Sequence, residues 1–568
     1  MAANPADVTY ATESWADEEA NVLRRYFTDL EGPVFALVNL PEVVKGALFA
    51  RYSRSSKSLR RLFLDEFVRD LDVSGDHSID ATVGLARAEE LYERVFYDYG
   101  DDSVAQLGGV HLACEQASNL LTKVLERSRL MSYMEKSTRY VAYDTRLANG
   151  HYRYYRSPEI LASPLGARYV GDLDRIFDTY AQLLPAVYDW YARQSSKPPG
   201  GSELAYRRAL RAKAFDAIRG VLPAAATSNL GVYGSGQGFE ALLLRMRSHP
   251  LPEARSYAEL MLTELRKVIP SWVRRVDVAD RGGAWAEYLQ ANRAAMREAA
   301  STLFGPGRAW PAGAPPDGGD APEADLRAAA RPSVRLVDFD PEGEEKVVTA
   351  MLYPFTDFTE EQVASKVASM PTEERRLVMA AYVGERRNRR HRPGRALERC
   401  TYRFEVVSDY GAFRDLQRHR MLTVEWQQLT PYHGYSMPAS VAESGGEAAY
   451  GDAMARSTEL YEALDGRFGP DLAAYAVTLA HRVRYVMQMD AREAMHVLEL
   501  RTTPQGHAEY RDICQQMHQL IGEKAGHRAI ASMMSFVDYS GSGDDSLGRL
   551  ESEQRADARR REEVSGPA

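Results

Sequence analysis

The chain has 568 residues, 45% of them hydrophobic and 27% charged, and a formal net charge of -9. That length exceeds what one hydrophobic core serves, so two or more domains are expected, and the acidic balance removes any global attraction to nucleic acid or anionic lipid. Three cysteines, Cys114, Cys400 and Cys514, lie far apart with no CxxC pair, which argues against a disulfide framework or a cysteine zinc site and fits a reducing compartment.

The opening stretch MAANPADVTYATESWADEEAN has neither a basic start nor an apolar run, and nowhere do about 18 apolar residues follow one another. No membrane segment and a cytoplasmic location are therefore expected. Residues 1–32 read as an N-terminal extension and 33–300 as a first domain. Within it Ala113, Ala117, Leu120, Leu121, Val124 and Leu125 recur at helical spacing, predicting a helix up to the basic triplet Arg127-Ser128-Arg129. Ser132, Glu135, Ser137 and Arg139 follow; in an extended strand Ser137 and Arg139 point the same way, a hydroxyl and a guanidinium suited to a phosphate. Residues 301–332, rich in Gly, Pro, Ala and Asp without an apolar period, form the expected linker.

The second domain is expected at 333–540. Its run Glu385 to Arg392 is an arginine-rich loop on an acidic protein, a solvated turn or a phosphate contact, without the interleaved aromatics that nucleic-acid binding would use. Tyr402, Phe404 and Val406 alternate with Arg403 and Glu405 as in a half-buried strand, and Ser408 is placed to cap a helix carrying Tyr410, Phe413 and Leu416 that ends at Arg418-His419-Arg420. Two arginine forks suit bidentate phosphate binding, and an imidazole can stack on a flat cofactor; the plain alternative is a solvated basic helix end favoured by the helix dipole. His496 reads as a structural histidine, and 541–568 as a disordered polar tail.

The same order of parts in each half indicates internal duplication. Strands mixed with longer helices, without regular βαβ alternation, predict an α+β fold, each half a mixed or antiparallel sheet flanked by long helices. No GxGxxG follows a strand, so any dinucleotide is held without a Rossmann fingerprint. No metal site is predicted.

The sequence resembles the flavin-dependent thymidylate synthases, whose signature reads Arg-His-Arg, a spacer, Ser, Asn-Glu, then Ser-x-Arg-Tyr. Residues Arg127 to Tyr140 are similar to it, with Ser128 in place of the His and Met134 in place of the Asn. The second half keeps Arg418-His419-Arg420 intact but carries Glu425 and Trp426 for Asn-Glu, and Gln428 and Thr430 for the Ser and Arg. Further blocks resemble the family: Ala50-Arg51-Tyr52-Ser53, Gly100-Asp101-Asp102-Ser103, Ile218-Arg219-Gly220-Val221-Leu222-Pro223, Arg245-Met246-Arg247, and Asp490-Ala491-Arg492 with Leu500-Arg501 and His507. The resemblance covers 33–290 and 333–540, two tandem domains of one kind.

The resemblance implies methylation of dUMP at C5, with methylenetetrahydrofolate and NADPH as co-substrates and FAD as cofactor. It assigns Arg127, Glu135, Ser137, Arg139 and Arg219 to the nucleotide, Arg418, His419, Arg420, Arg492 and His507 to the flavin, and Arg247 or Arg501 to polarising a uracil carbonyl. No cysteine nucleophile is implied. Family sites form between subunits of a homotetramer, so a two-half chain is expected to pair with a second copy as a pseudo-tetramer with composite sites. Two other classes stay open: a member that binds flavin or nucleotide without turnover, or acts on a different uridine nucleotide, and a nucleic-acid binder using 385–392, which is disfavoured.

Overall fold

The structure, a computed structural model, describes residues 10–39, 52, 55–66, 109–199, 201–304, 332–540, 547, 549–550, 553–555 and 557–558. The expected Gly100 to Ser103 block, most of the Ala50 to Ser53 block, the linker from 305 to 331 and most of the tail lie outside these residues.

Among the described residues, eight strands form two antiparallel sheets with the same internal order. In the first, β1 (Val34–Leu37), β2 (Gly109–Ser118), β4 (Thr227–Ser235) and β3 (Met131–Glu135) lie side by side in that order. In the second the order is β5 (Ser333–Phe339), β6 (Thr401–Asp409), β8 (Arg482–Asp490) and β7 (Thr423–Trp426). Repetition of one topology bears out the duplicated α+β reading, with every pairing antiparallel. The chain forms two compact units, each holding one sheet: residues 1–181, 223–309 and 456–477 make the first, and 182–222, 310–455 and 478–568 the second. Among the described residues no helix is long and apolar enough to cross a membrane.

Four strand-to-helix corners place the basic residues of interest. β2 runs into α1 (Asn119–Leu125), and the Ser118 side chain caps it by accepting from the Leu121 N–H. β4 runs into α3 (Gly236–Arg247), capped by Ser235; α2 (Glu203–Ile218) precedes β4. In the second unit, β6 runs into α5 (Tyr410–Leu416), capped by Asp409, and β8 into α6 (Ala491–Arg501), capped by Asp490. A short oxygen-bearing side chain at the last strand residue satisfies helix N–H groups that otherwise have no partner. The arginines then arrive where the helix dipole favours cations: Arg127 and Arg418 just past α1 and α5, Arg247 and Arg501 in the last turns of α3 and α6.

Three local expectations are corrected. Ala113 and Ala117 lie in β2, not in a helix. β2 is a central strand buried on both faces, so period-two alternation is lost, and the register shifts between Cys114 and Ala117 around Gln116 at φ 59°. The α5 cap is Asp409 rather than Ser408, whose buried hydroxyl instead lies 2.9 Å from the Tyr485 hydroxyl. Ser137 and Arg139 are not extended: β3 ends at Glu135, the Tyr140 N–H reaches back to the Ser137 carbonyl at 3.1 Å, and the Arg139 N–H donates to Ser137 Oγ at 3.3 Å.

The first corner is fastened from a neighbouring helix, α4 (Pro252–Arg266). Its buried Glu253 accepts from the Ser118 N–H at 2.9 Å, from the Ser118 hydroxyl at 2.5 Å and from the Tyr475 hydroxyl at 2.8 Å. Burial pushes the Glu253 carboxyl up to about 7, against these bonds. Ser118→Ala removes both a cap and a partner of Glu253. A loss of about 1–2 kcal/mol is expected, measured as a lower denaturation midpoint; an unchanged midpoint would contradict this account of the corner.

Candidate functional site

In the second unit α5 presents Asp415 one residue before its end, and three guanidiniums gather on it. Arg219, which follows α2 as its C-cap, donates to Asp415 Oδ2 from Nη1 at 3.3 Å and from Nη2 at 3.4 Å. Arg418 donates to Asp415 Oδ1. Arg501 reaches in from the end of α6, with Nη1 3.9 Å from Oδ1 and Nη2 donating to the Asp415 carbonyl at 2.6 Å. Arg219 and Asp415 are buried, at 5% and 2% exposure, where ion pairs are poorly screened.

Arg501 also donates from Nε to His419 Nε2 at 2.9 Å. Burial and the charges of Arg501, His496 and Arg418 drive the His419 imidazole well below its ordinary value. It is therefore neutral, accepts through Nε2, and presents its Nδ1 proton toward Glu493 Oε1 at 3.4 Å. Burial, then the charge of Asp490, raises the Glu493 carboxyl to about 7. His496 lies edge-on to His419, with Arg392 Nη2 at 3.0 Å from its Nδ1.

A second chain of contacts joins the first through Asp216, whose Oδ1 lies 3.5 Å from Arg219 Nε. His507 bridges Asp216, at 3.0 Å from Nδ1, and Asp409, at 3.3 Å from Nε2. Burial alone would push this imidazole down; the charge of Asp216 and the bonds to both carboxylates outweigh it, and the His507 value rises to about 10. Glu509, which accepts from the Asp409 N–H at 2.5 Å, is pushed up by burial and by the charge of Asp409. Asp216, Arg219, Asp409, His507 and Glu509 all line one cleft of about 310 Å3, walled by apolar groups such as Tyr450 and Leu479.

Arg219, Arg418, Arg501 and protonated His507 thus face the carboxylates of Asp216, Asp409 and Asp415 in one largely buried network. Such a network favours an anionic ligand over a cation. His419, Glu493 and His496 do place ligand atoms within 4.8 Å of one another. A metal on His419 Nδ1 would put the ring proton on Nε2, facing the Arg501 N–H donor. The donor set does not fit a metal.

The expected site residues are only partly brought together. Arg219, Arg418, His419, Arg501 and His507 belong to one connected network, although both nitrogens of His507 are committed to carboxylates. Arg420 is exposed, and Arg492 donates to the Pro393 carbonyl at 3.0 Å and lies 3.5 Å from Glu398. Arg127, Glu135, Ser137, Arg139 and Arg247 belong to the first unit. There Glu135 is buried 3.5 Å from Lys123 Nζ, Arg127 is exposed, and Arg247 pairs with Glu259 of α4. Sequence reasoning missed Asp216, Asp415, Asp409 and Glu509. Their signal was local: Asp216 and Asp415 each stand three residues before an arginine, at helical pairing distance. In the 385–392 run, Arg386 is a buried staple, bidentate to Glu499 at 2.6 Å for each bond.

Two units with one sheet order, the second built around a buried cationic network, define a duplicated α+β protein suited to anionic ligands. The chain belongs to the thymidylate synthase complementing protein family, whose model matches residues 47–271 and 335–525, so it is a tandem member. A UPF0159 protein of Chlamydia muridarum is 38% identical over 548 residues, covering 96% of this chain and 99% of that relative. A UPF0159 protein of Thermoplasma acidophilum is 33% identical over 537 residues, covering 90% and 98%. Among solved structures, a UMP/dUMP methylase from Streptomyces cacaoi bound with 5-Br UMP is similar over 37% of this chain and 98% of its own, at 16% identity and a TM-score of 0.28, too slight a likeness to assign anything further.

The His507 network has a pH signature. Its folded value of about 10 lies above the ordinary 6.5, so its stabilisation is complete below pH 6.5 and is lost as pH rises through 10. Thermal melts across this window should show wild type losing stability more steeply than His507→Gln. Parallel curves would contradict a protonated His507.

Proposed function

We propose that this chain is a flavin-dependent thymidylate synthase. It would methylate dUMP at C5 to dTMP, with methylenetetrahydrofolate, FAD and NADPH. The observation that carries the reading is the placement of Arg501. In a chain of this family, its guanidinium is held by His419 Nε2 at 2.9 Å and the Asp415 carbonyl at 2.6 Å. A guanidinium fixed in this way stabilises negative charge developing on a uracil carbonyl without reorganising.

The reaction balances as dUMP, methylenetetrahydrofolate, NADPH and a proton giving dTMP, tetrahydrofolate and NADP+. The methylene carbon bonds to C5 and leaves the folate nitrogen, the C5 hydrogen departs as a proton, and a hydride from NADPH completes the methyl group. When bound, FAD supplies the hydride-transfer chemistry. The gathered guanidiniums fit a phosphate-bearing cofactor, which Arg418, Arg420 and Arg492 would hold, with His419 and His507 beside them. Arg127, Glu135, Ser137, Arg139 and Arg219 are assigned to the nucleotide, and Arg247 is the alternative to Arg501 at the uracil carbonyl. The reading includes self-association of two chains and a cytoplasmic setting.

A second reading, binding without turnover or action on another uridine nucleotide, is favoured by one observation: Arg219 already carries Asp415 and Asp216 as partners, so a phosphate there must displace a carboxylate. Anaerobic incubation with dUMP, methylenetetrahydrofolate, NADPH and FAD decides between them. Formation of dTMP is expected, with kcat falling roughly a hundredfold in Arg501→Ala. Flavin binding with no methylated product from dUMP would overturn the first reading.

A further inference from the structure

In the first unit Lys136 is buried and Arg153 half-buried, and the network above uses neither. Lys136, between Glu135 and Ser137, is 6% exposed, and its Nζ reaches one acceptor among the described residues, the Ser56 carbonyl at 3.4 Å. Arg153 buries Nε and Nη1, and neither has a hydrogen-bond partner among the described residues. Both residues are docked by their backbones on the start of β4. The Lys136 N–H donates to the Asn229 carbonyl at 2.8 Å, and the Ser228 hydroxyl donates to the Lys136 carbonyl at 3.2 Å. The Thr227 N–H donates to the Arg153 carbonyl at 2.9 Å. The Arg153 guanidinium lies 5.9 Å from the centre of the buried Tyr143 ring, whose hydroxyl is tied to the Thr227 carbonyl at 3.0 Å.

Two positive groups so fixed repel each other. Burial, then the charge of Arg153, lowers the Lys136 amine to about 8, only partly offset by Glu115. Glu115 is itself engaged, accepting from the Tyr52 hydroxyl at 2.7 Å and the Leu59 N–H at 3.0 Å. An arrangement that leaves buried guanidinium N–H groups without acceptors and holds an ammonium beside them is unfavourable in itself. It becomes favourable when an anion with several acceptor oxygens enters.

We infer that Lys136 and Arg153 form an anion subsite that takes a phosphomonoester. Resting on the function proposed above, that group is the 5′-phosphate of the uridine nucleotide, next to Glu135, Ser137 and Arg139. Neither residue belongs to the signature positions, which makes them additional determinants for the charged end of the substrate.

The test uses the full chain and its affinity for dUMP, deoxyuridine, ribose 5-phosphate and inorganic phosphate at constant ionic strength. Wild type should bind dUMP far more tightly than deoxyuridine, and inorganic phosphate should compete where chloride does not. Lys136→Met and Arg153→Met should each weaken dUMP roughly tenfold or more while leaving deoxyuridine affinity unchanged. Lys136→Arg should keep most of the dUMP affinity. Because Arg153→Met also removes the repulsion, its ligand-free melting temperature should hold or rise; a residue with only a structural role would lower it. Unchanged dUMP affinity in both Met variants overturns the subsite and leaves the proposed function standing. Equal loss of dUMP and ribose 5-phosphate binding in the variants, with no uridine preference in wild type, keeps the subsite and overturns the substrate reading. If a Met variant fails to fold, wild-type competition still decides: no displacement of dUMP by inorganic phosphate overturns the inference.

Discussion

The carboxylate of Asp415 is the constraint on which the second unit depends. It lies in the last turns of a seven-residue helix and is 2% exposed, yet three guanidiniums reach its residue. Paired buried charges add little net stability over a well-packed apolar core, but removing one partner of such a set is expensive. The network therefore specifies geometry more than it stabilises. Arg219, Arg418 and Arg501 come from three separate stretches of sequence, and Asp415 fixes where each ends. Arg501, held chiefly by the Asp415 main-chain carbonyl, in turn fixes the proton of His419, so one residue sets both the cation positions and the tautomer of the imidazole beside them.

The same architecture carries different chemistry in the first unit. Each sheet has two corners where a strand ends in a capping Ser or Asp and a helix delivers a basic residue at its far end. In the second unit Arg219, Arg418 and Arg501 are connected through Asp415; in the first, Arg247 is taken up by Glu259 and Glu135 by Lys123, while Arg153 keeps buried N–H groups without an acceptor among the described residues. The duplicated scaffold has thus kept its corners and changed what stands on them. Ser128 and Met134 for His and Asn in one half, and Gln428 and Thr430 for Ser and Arg in the other, are the same divergence seen in sequence.

Much of the fold was legible because its signals are local. The alternation of Tyr402, Phe404 and Val406 is one face of β6, and repeated motif order gave the tandem arrangement. β2 was misread because a strand buried on both faces has no period of two, and its alanines and leucines then mimic helical spacing across the bulge at Gln116. The cap of α5 slipped by one residue because Ser408 and Asp409 are both competent caps, and only burial against Tyr485 separates them. For the site, arginines and histidines announce themselves by motif. Their carboxylate partners do not, since Asp216 and Asp415 look like ordinary helix acids until tertiary packing brings them to Arg219.

The most direct measurement is the visible absorption spectrum of the purified chain with added FAD, before and after dUMP. The flavin-dependent reading proposed above predicts retained oxidised flavin whose bands shift when dUMP is added. No retained flavin in excess FAD would contradict the account, and the Asp415 network would then be a structural device alone.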